Sequence, residues 1–253
     1  MTLLRVDHLS KQFGGIAAVD ELSFEVEAGT IHSIIGPNGA GKTTVLNLIT
    51  GVYTPSRGAI YLDGTTVSGK PPHELAAHGL SRTFQNLQIF TTMTALENVM
   101  VGRHLRLDRR FLPSLFRFPG VVKHDAAARE HCMGLMEFVG CGRYVDADAA
   151  SLPYGALKRL EIARALATEP KILLLDEPAA GLNATESREV DAVIKKIAAQ
   201  GITVILVEHD MKMVMGISDR ILVLNYGRKL TEGTPAEIAA HPEVISAYLG
   251  AAA

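Results

Sequence analysis

Three short apolar runs set the framework of the chain: Ile31–Ile35, Ile172–Leu175 and Thr203–Val207. Each is four or five residues long without interior charges, the pattern of strands buried on both faces of a parallel sheet. Between the second and third, Val190, Val193, Ile194 and Ile197 recur at i, i+3, i+4 and i+7, with Glu186, Glu189, Lys195 and Lys196 on other faces and Gly201 after the last turn. That spacing predicts an amphipathic crossover helix. Strand, helix, strand in this order is a βαβ unit, so the fold class is α/β, with a ligand site at the carboxyl ends of the strands. Residues 3–8 and 22–28 alternate apolar and polar positions like half-exposed antiparallel strands, and 58–62 and 220–231 are expected to extend the same layer. Residues 94–150 read as helical or irregular, with Pro113 and Pro119 in a central loop. Thr234, Pro235 and Glu237 form a capping box with proline at the first helical position, which predicts a short helix near the end.

Composition narrows the class. With 253 residues, 47% of them hydrophobic, and a mean hydropathy of +0.18, there is apolar material for one large core or two small ones. No internal repeat or low-complexity segment interrupts the chain. Lys and Arg total 25 against 27 Asp and Glu, a formal charge of −2, which gives no electrostatic footprint for nucleic acid. Cys132 and Cys141 sit outside any CxxC pattern, too few for a disulfide framework or a zinc site, and fit a reducing, cytosolic setting. His104, His124 and His131 show no metal-ligand spacing. The start of the chain lacks a basic segment followed by an apolar one, and no run approaches the ~18 apolar residues of a membrane span, so neither secretion nor membrane insertion is expected.

The chemistry begins at Gly36-Pro37-Asn38-Gly39-Ala40-Gly41-Lys42-Thr43, which fits GxxxxGK[ST] between the buried run Ile31–Ile35 and an apolar helix through Val45, Leu46 and Ile49. Glycines let consecutive backbone N–H groups turn onto phosphate oxygens. Lys42 supplies charge to the β- and γ-phosphates, and the Thr43 hydroxyl can ligate Mg²⁺. A tight turn alone would explain the glycines but not Lys42-Thr43. Further on, Ile172–Leu175 delivers Asp176 and Glu177 to the carboxyl end of a buried strand, where two adjacent acids are costly without a cation to face. Asp176 suits the Mg²⁺ shell, and Glu177 suits polarising a water. Together these parts read as an ATP or GTP hydrolase.

Three further signals are Gln85 in Arg82-Thr83-Phe84-Gln85-Asn86, Leu152-Pro153-Tyr154-Gly155 opening a helix ahead of Asp176, and His209 two residues past the strand Val204–Val207. With these in order, the chain resembles the ATP-binding-cassette (ABC) ATPases over nearly its whole length. Gly36–Thr43, with Thr44 following, is similar to Walker A, Gln85 to the Q-loop, Leu152–Ala156 to the signature motif, Ile172–Glu177 to Walker B, Ala180–Asn183 to the D-loop and His209 to the switch histidine. The resemblance is strongest to the ATPase subunits of bacterial branched-chain amino acid importers, through Arg82–Phe90, Arg159–Leu166, Asp176–Asn183 and the ending Ala247-Tyr248-Leu249-Gly250. It implies a P-loop NTPase with a RecA-like parallel-sheet core, an antiparallel β layer and an inserted helical subdomain. The single domain would comprise 1–85 and 155–233 as core, 86–154 as helical subdomain with the signature at its end, and 234–253 as helical tail.

The resemblance also implies site roles and partners. Glu177, His209 and Gln85 would be catalytic, and Thr43, Gln85 and Asp176 would hold Mg²⁺. Phe13, between Lys11-Gln12 and Gly14-Gly15, would stack on adenine, and Tyr154 and Gly155 would meet a second subunit's ATP. That second cassette, itself or a paralogue, would sandwich two ATP molecules, and hydrolysis would drive transmembrane permease subunits fed by a periplasmic binding protein. The chain would then sit at the cytoplasmic face of the inner membrane as a peripheral subunit. Rival readings are import of another solute such as urea, or a soluble cassette that scaffolds assembly of iron–sulfur clusters. The signature departs from the usual Leu-Ser-Gly-Gly-Gln: Pro153 replaces the serine, Tyr154 the first glycine and Ala156 the glutamine. What remains is a helix N-terminus at Gly155 whose N–H groups favour an anion. The insert carries Arg103, Arg106, Arg109, Arg110, Arg117 and Lys123 against Asp108, interleaved with Phe111, Leu115, Phe116 and Phe118. That pattern suits a solvated loop or contact with membrane subunits and headgroups.

Overall fold

A computed structural model describes residues 1–85, 87–105 and 119–246. Asn86, the stretch holding Arg106, Asp108, Arg109, Arg110, Phe111, Pro113, Leu115, Phe116, Arg117 and Phe118, and the ending Ala247–Gly250 lie outside the described residues. The chain divides into two compact units. One comprises Met1–Arg82, Lys171–Glu177 and the segment from Ile194 onward; the other comprises Thr83–Pro170 and Pro178–Val193.

The first unit holds two sheets. Strands β1 (Thr2–Phe13), β2 (Ile16–Glu27), β3 (Ile31–Ile35), β4 (Arg57–Leu62) and β5 (Thr65–Thr66) come first, followed by β6 (Leu80–Arg82), β7 (Ile172–Asp176), β8 (Thr203–Val207), β9 (Arg220–Asn225) and β10 (Arg228–Gly233). The antiparallel sheet runs β2-β1-β4-β5, and the six-stranded sheet runs β10-β9-β3-β8-β7-β6. In the latter, β9, β3, β8, β7 and β6 are parallel, and β10 is antiparallel to β9. All five residues of β3, β7 and β8 are buried, as their apolar runs require. The hydrophobic core of this unit joins both sheets, with Leu4, Val6, Leu22 and Ile60 packed in one cluster with Ile34, Leu174, Ile205 and Leu222.

The expected placement of 220–231 is corrected. Those residues join the parallel sheet as β9 and β10, while β4 does extend the antiparallel layer through β1. The reason is burial on both faces: Ile221–Leu224 form a continuous buried run, with Leu222 and Leu224 packed into one apolar cluster and Ile221 and Val223 into another. Pro119 is likewise not in a loop but opens the helix Pro119–Phe138, where its missing N–H has no helical acceptor to lose.

The second unit is helical. Helix Ala95–Gly102 starts with a capping box from Thr94 and Glu97 and lies so close to helix Tyr154–Leu166 that a Cβ on Gly102 would come within 2.1 Å of the Arg164 carbonyl. Only glycine permits that approach. Cys132 and Cys141 are both free and buried here, and burial pushes the Cys132 thiol up to about 11, so it stays protonated and packs as a small apolar group. Asn183 accepts N–H bonds from Thr185 and Glu186 and so starts the helix Ala184–Ala199. The predicted terminal helix forms at Pro235–Ala239 with its Thr234–Glu237 capping box complete.

Candidate functional site

Strand β3 ends at Ile35, and the chain then turns through Gly36–Gly41 into the helix Lys42–Ile49. Two glycines are sterically required. A Cβ on Gly36 would meet the Leu224 carbonyl at 2.5 Å, and Gly41, at φ +100°, has the Ala18 carbonyl 2.6 Å from where a Cβ would lie. The Lys42 ammonium folds back over this loop and donates to the carbonyls of Gly36 (2.6 Å) and Pro37 (3.1 Å). Burial holds its pKa below the usual lysine value, and the Glu177 and Asp176 carboxylates oppose that shift. A cation thus stands at the centre of a glycine cradle, with the helix N-terminus beneath it. That donor set fits a phosphate anion.

Both acids lie where β7 ends. Asp176 is 4% exposed and ion-paired to Arg82 at 2.8 Å. Glu177 follows with φ +50°, a left-handed conformation that costs a non-glycine residue about 1 kcal/mol, and its N–H donates to the Val207 carbonyl on β8. The outcome is a carboxylate aimed by the backbone, with Glu177 Oε1 3.8 Å from His209 Nδ1. The His209 N–H donates to the buried carboxylate of Glu208, and Asp210 caps the helix Met211–Ile217 that follows. The first unit therefore brings Lys42, Asp176, Glu177 and His209 together around the ends of β3, β7 and β8. Phe13 is 43% exposed at the end of β1, edge-on to Tyr53 with ring centroids 5.2 Å apart and with the Lys11 ammonium 5.0 Å from its own centroid. It is a surface ring, not buried core.

The remaining expected residues belong to the second unit. Gln85 is exposed. Helix Tyr154–Leu166 begins directly after Pro153, which occupies the N-cap position itself and supplies no side-chain cap. Tyr154 lies against Gly181, whose Cβ position would be 3.2 Å from the ring, and a Cβ on Gly155 would meet the Glu186 carboxylate at 2.6 Å. An acid of the chain's own thus already stands beside this helix N-terminus. Glu161 escaped the motif-based reading. It is buried in the same helix, accepts the Phe84 N–H at 3.3 Å and pairs with Arg164, which in turn donates to the Gln88 carbonyl. Residues on both sides of Gln85 are held this way. The only sequence signal was a buried-face position carrying an acid.

Residues 19–180 match the ABC transporter family, and residues 228–253 match the branched-chain amino acid ATP-binding cassette transporter family. The chain belongs to the ABC transporter family. The cassette is 47% identical over 251 residues to the high-affinity branched-chain amino acid transport ATP-binding protein BraF of Pseudomonas aeruginosa, covering 99% of this chain and 98% of that one. Among solved structures it is similar to the ADP conformation of the cassette MJ1267, with a TM-score of 0.86 and 33% identity over 99% of both chains. It is also similar to the dimeric cassette MJ0796, with a TM-score of 0.74 and 26% identity over 92% of this chain and 99% of that one. Among the described residues of the cassette, no helix is long and apolar enough to cross a membrane.

Proposed function

We propose that this cassette is the ATP-binding and ATP-hydrolysing subunit of an importer for branched-chain or related amino acids, peripheral at the cytoplasmic face of the inner membrane. One observation carries the reading: Lys42 sits in a glycine cradle with Asp176, Glu177 and His209 beside it, in a chain 47% identical over nearly its whole length to a branched-chain amino acid transport ATP-binding protein.

The backbone N–H groups from Asn38 to Thr44 would cradle the β-phosphate, and the Lys42 ammonium would neutralise the β- and γ-phosphate oxygens. Phe13, backed by Tyr53, presents its ring to the adenine. Thr43, Asp176 and Gln85 would hold Mg²⁺. Their side-chain donors are all hard oxygens, the ligand chemistry that Mg²⁺ takes. When bound, Mg²⁺ neutralises charge on the β- and γ-phosphate oxygens. Glu177 takes the proton of the attacking water, and His209 braces the Glu177 carboxylate and the γ-phosphate end of the site. A second cassette, a copy or a paralogue, offers Tyr154 and Gly155 of its signature helix to the same ATP, and separation of the pair after hydrolysis moves the permease subunits. A periplasmic binding protein delivers the solute to those subunits.

Affinity capture of the tagged chain from detergent-solubilised membranes tests this reading. Polytopic permease subunits should co-purify, and deletion of the gene should abolish uptake of labelled leucine, isoleucine and valine. Capture of soluble assembly proteins alone, with uptake intact, overturns it.

A further inference from the structure

We infer that Arg82 is a positioning residue that locks the phosphate-loop helix to Asp176 and so sets the geometry of the cation site. The inference rests on the assignment of Thr43 and Asp176 to Mg²⁺. Arg82 is the last residue of β6, paired in parallel with β7, and its side chain is 7% exposed. One end of its guanidinium, Nη2, donates to Asp176 Oδ2 at 2.8 Å. The other end, Nη1, donates to Asn47 Oδ1 at 2.6 Å and to Thr50 Oγ1 at 3.2 Å. Thr50 is itself anchored to the Leu46 carbonyl at 2.8 Å.

The spacing gives the brace its purpose. Thr43, Asn47 and Thr50 stand at i, i+4 and i+7 and share one face of the helix Lys42–Ile49 and its C-cap. The two side chains of the first unit assigned to the cation, Thr43 and Asp176, are therefore tied through a single rigid fork. A planar guanidinium can hold a carboxylate at one end and the helix at the other, which a lysine ammonium cannot do.

Two effects compete when Arg82 is replaced. Removing its charge strengthens the pull of Asp176 on any divalent cation, and removing the fork loosens the carboxylate. The first acts equally on Mg²⁺ and Ca²⁺. The second does not, because Mg²⁺ requires near-ideal octahedral geometry at short distances whereas Ca²⁺ accepts irregular shells. The ratio of the two cations thus isolates positioning from charge.

The test uses the purified full-length chain and a fluorescent ATP analogue, titrated in EDTA and then against Mg²⁺ or Ca²⁺. In Arg82→Gln and in Arg82→Lys the affinity in EDTA should stay within about twofold of wild type, while the preference for Mg²⁺ over Ca²⁺ falls about tenfold, as loss of an outer-shell partner does. Should Arg82→Gln fail to fold, Asn47→Ala removes the shorter of the two helix-end contacts, leaves the one to Thr50, and should lower the same preference by a smaller factor. Unchanged preference in the variants that fold, or a parallel collapse of affinity in EDTA, overturns the inference. Asp176→Asn separates the two levels. If it abolishes the Mg²⁺ preference while the Arg82 variants keep it, the brace is wrong and the cation assignment stands; if it leaves the preference intact, the assignment falls and the inference with it.

Discussion

His32 should make the first unit acid-labile, and replacing it with leucine should remove that lability. The side chain of this second residue of β3 is 1% exposed, its ring 5.8 Å from that of Phe24, and its Nε2 has no hydrogen-bond partner among the described residues. Burial is the main reason its pKa falls from 6.5 to about 4, with the positive charges of Arg220 and Lys229 adding to the effect; each of those pairs with Glu232, at 4.0 and 3.1 Å. The folded state therefore keeps His32 neutral down to about pH 4, whereas the unfolded chain protonates it below 6.5. Between these values the unfolded state binds more protons, so stability drops as pH falls through that window. At 1.36 kcal/mol per pKa unit, the loss attributable to His32 is roughly 2.5 kcal/mol between pH 7.5 and pH 4.5.

The informative quantity is the difference between wild type and His32→Leu, in which the other titrating groups cancel. At pH 7.5 the leucine variant gains from removing an unpartnered polar atom and loses from imperfect shape, each about 1 kcal/mol, so its absolute stability should change little. On moving to pH 4.5 the variant should gain about 2.5 kcal/mol relative to wild type, a separation of roughly 0.5 to 1 M in the urea midpoint followed by circular dichroism. Midpoints that fall in parallel across this range would refute the reasoning, because they would mean that His32 has the same pKa in both states.

Lys42→Ala should abolish nucleotide binding measured with a fluorescent ATP analogue, since the lost charge-assisted contacts are worth ~1.5 to 3 kcal/mol or more; unchanged affinity would reject the phosphate cradle. Glu177→Gln should keep Mg·ATP binding, slow hydrolysis at least ~10²-fold and favour an ATP-dependent dimer in gel filtration; a wild-type rate would remove Glu177 as the base. Pro153→Ser should raise hydrolysis severalfold and stabilise the helix Tyr154–Leu166 by up to about 1 kcal/mol, because serine can cap it where proline does not; no change in either rate or melting temperature refutes this. Ala156→Gln, in contrast, should destabilise by about 1 to 3 kcal/mol in thermal melts, because Ala156 is 2% exposed and offers no room for a longer side chain; a neutral result would show that the site can open.

The parallel core was legible because burial on both faces leaves an uninterrupted apolar run, and Ile31–Ile35, Ile172–Leu175 and Thr203–Val207 carry it plainly. Ile221–Leu224 carries it too, but within 220–231 that run is short and is flanked by Arg220, Arg228 and Lys229, and only its packing on both faces separates it from the half-exposed strands. Helix Tyr154–Leu166 shows the opposite failure. It is buried on nearly all sides although Lys158, Arg159 and Glu161 are charged, because Arg159 pairs with Glu189 and Glu161 serves the backbone of Phe84. Burial there depends on partners distant in sequence, which periodicity cannot register.

The same distinction separates the parts of the site. Lys42, Asp176, Glu177 and His209 could be found because each follows a strand at a set offset, so one-dimensional spacing encodes their convergence. Arg82 and Glu161 could not, since each acts by reaching across elements: Arg82 to Asn47, Thr50 and Asp176, Glu161 to the Phe84 N–H. The signature falls between the two cases. Its spacing identified the helix N-terminus, but Pro153 and Ala156 left open how an anion would be met there. The Glu186 carboxylate beside Gly155 sharpens that question: a phosphate approaching this terminus meets a negative charge unless Glu186 turns away. Glu186 also accepts the Asn183 N–H at 3.1 Å, so turning it away would release the start of the helix Ala184–Ala199. Under the proposed function, docking of nucleotide at the signature helix would thereby be coupled to Asn183 within a single unit, a link that neither motif reveals when read alone.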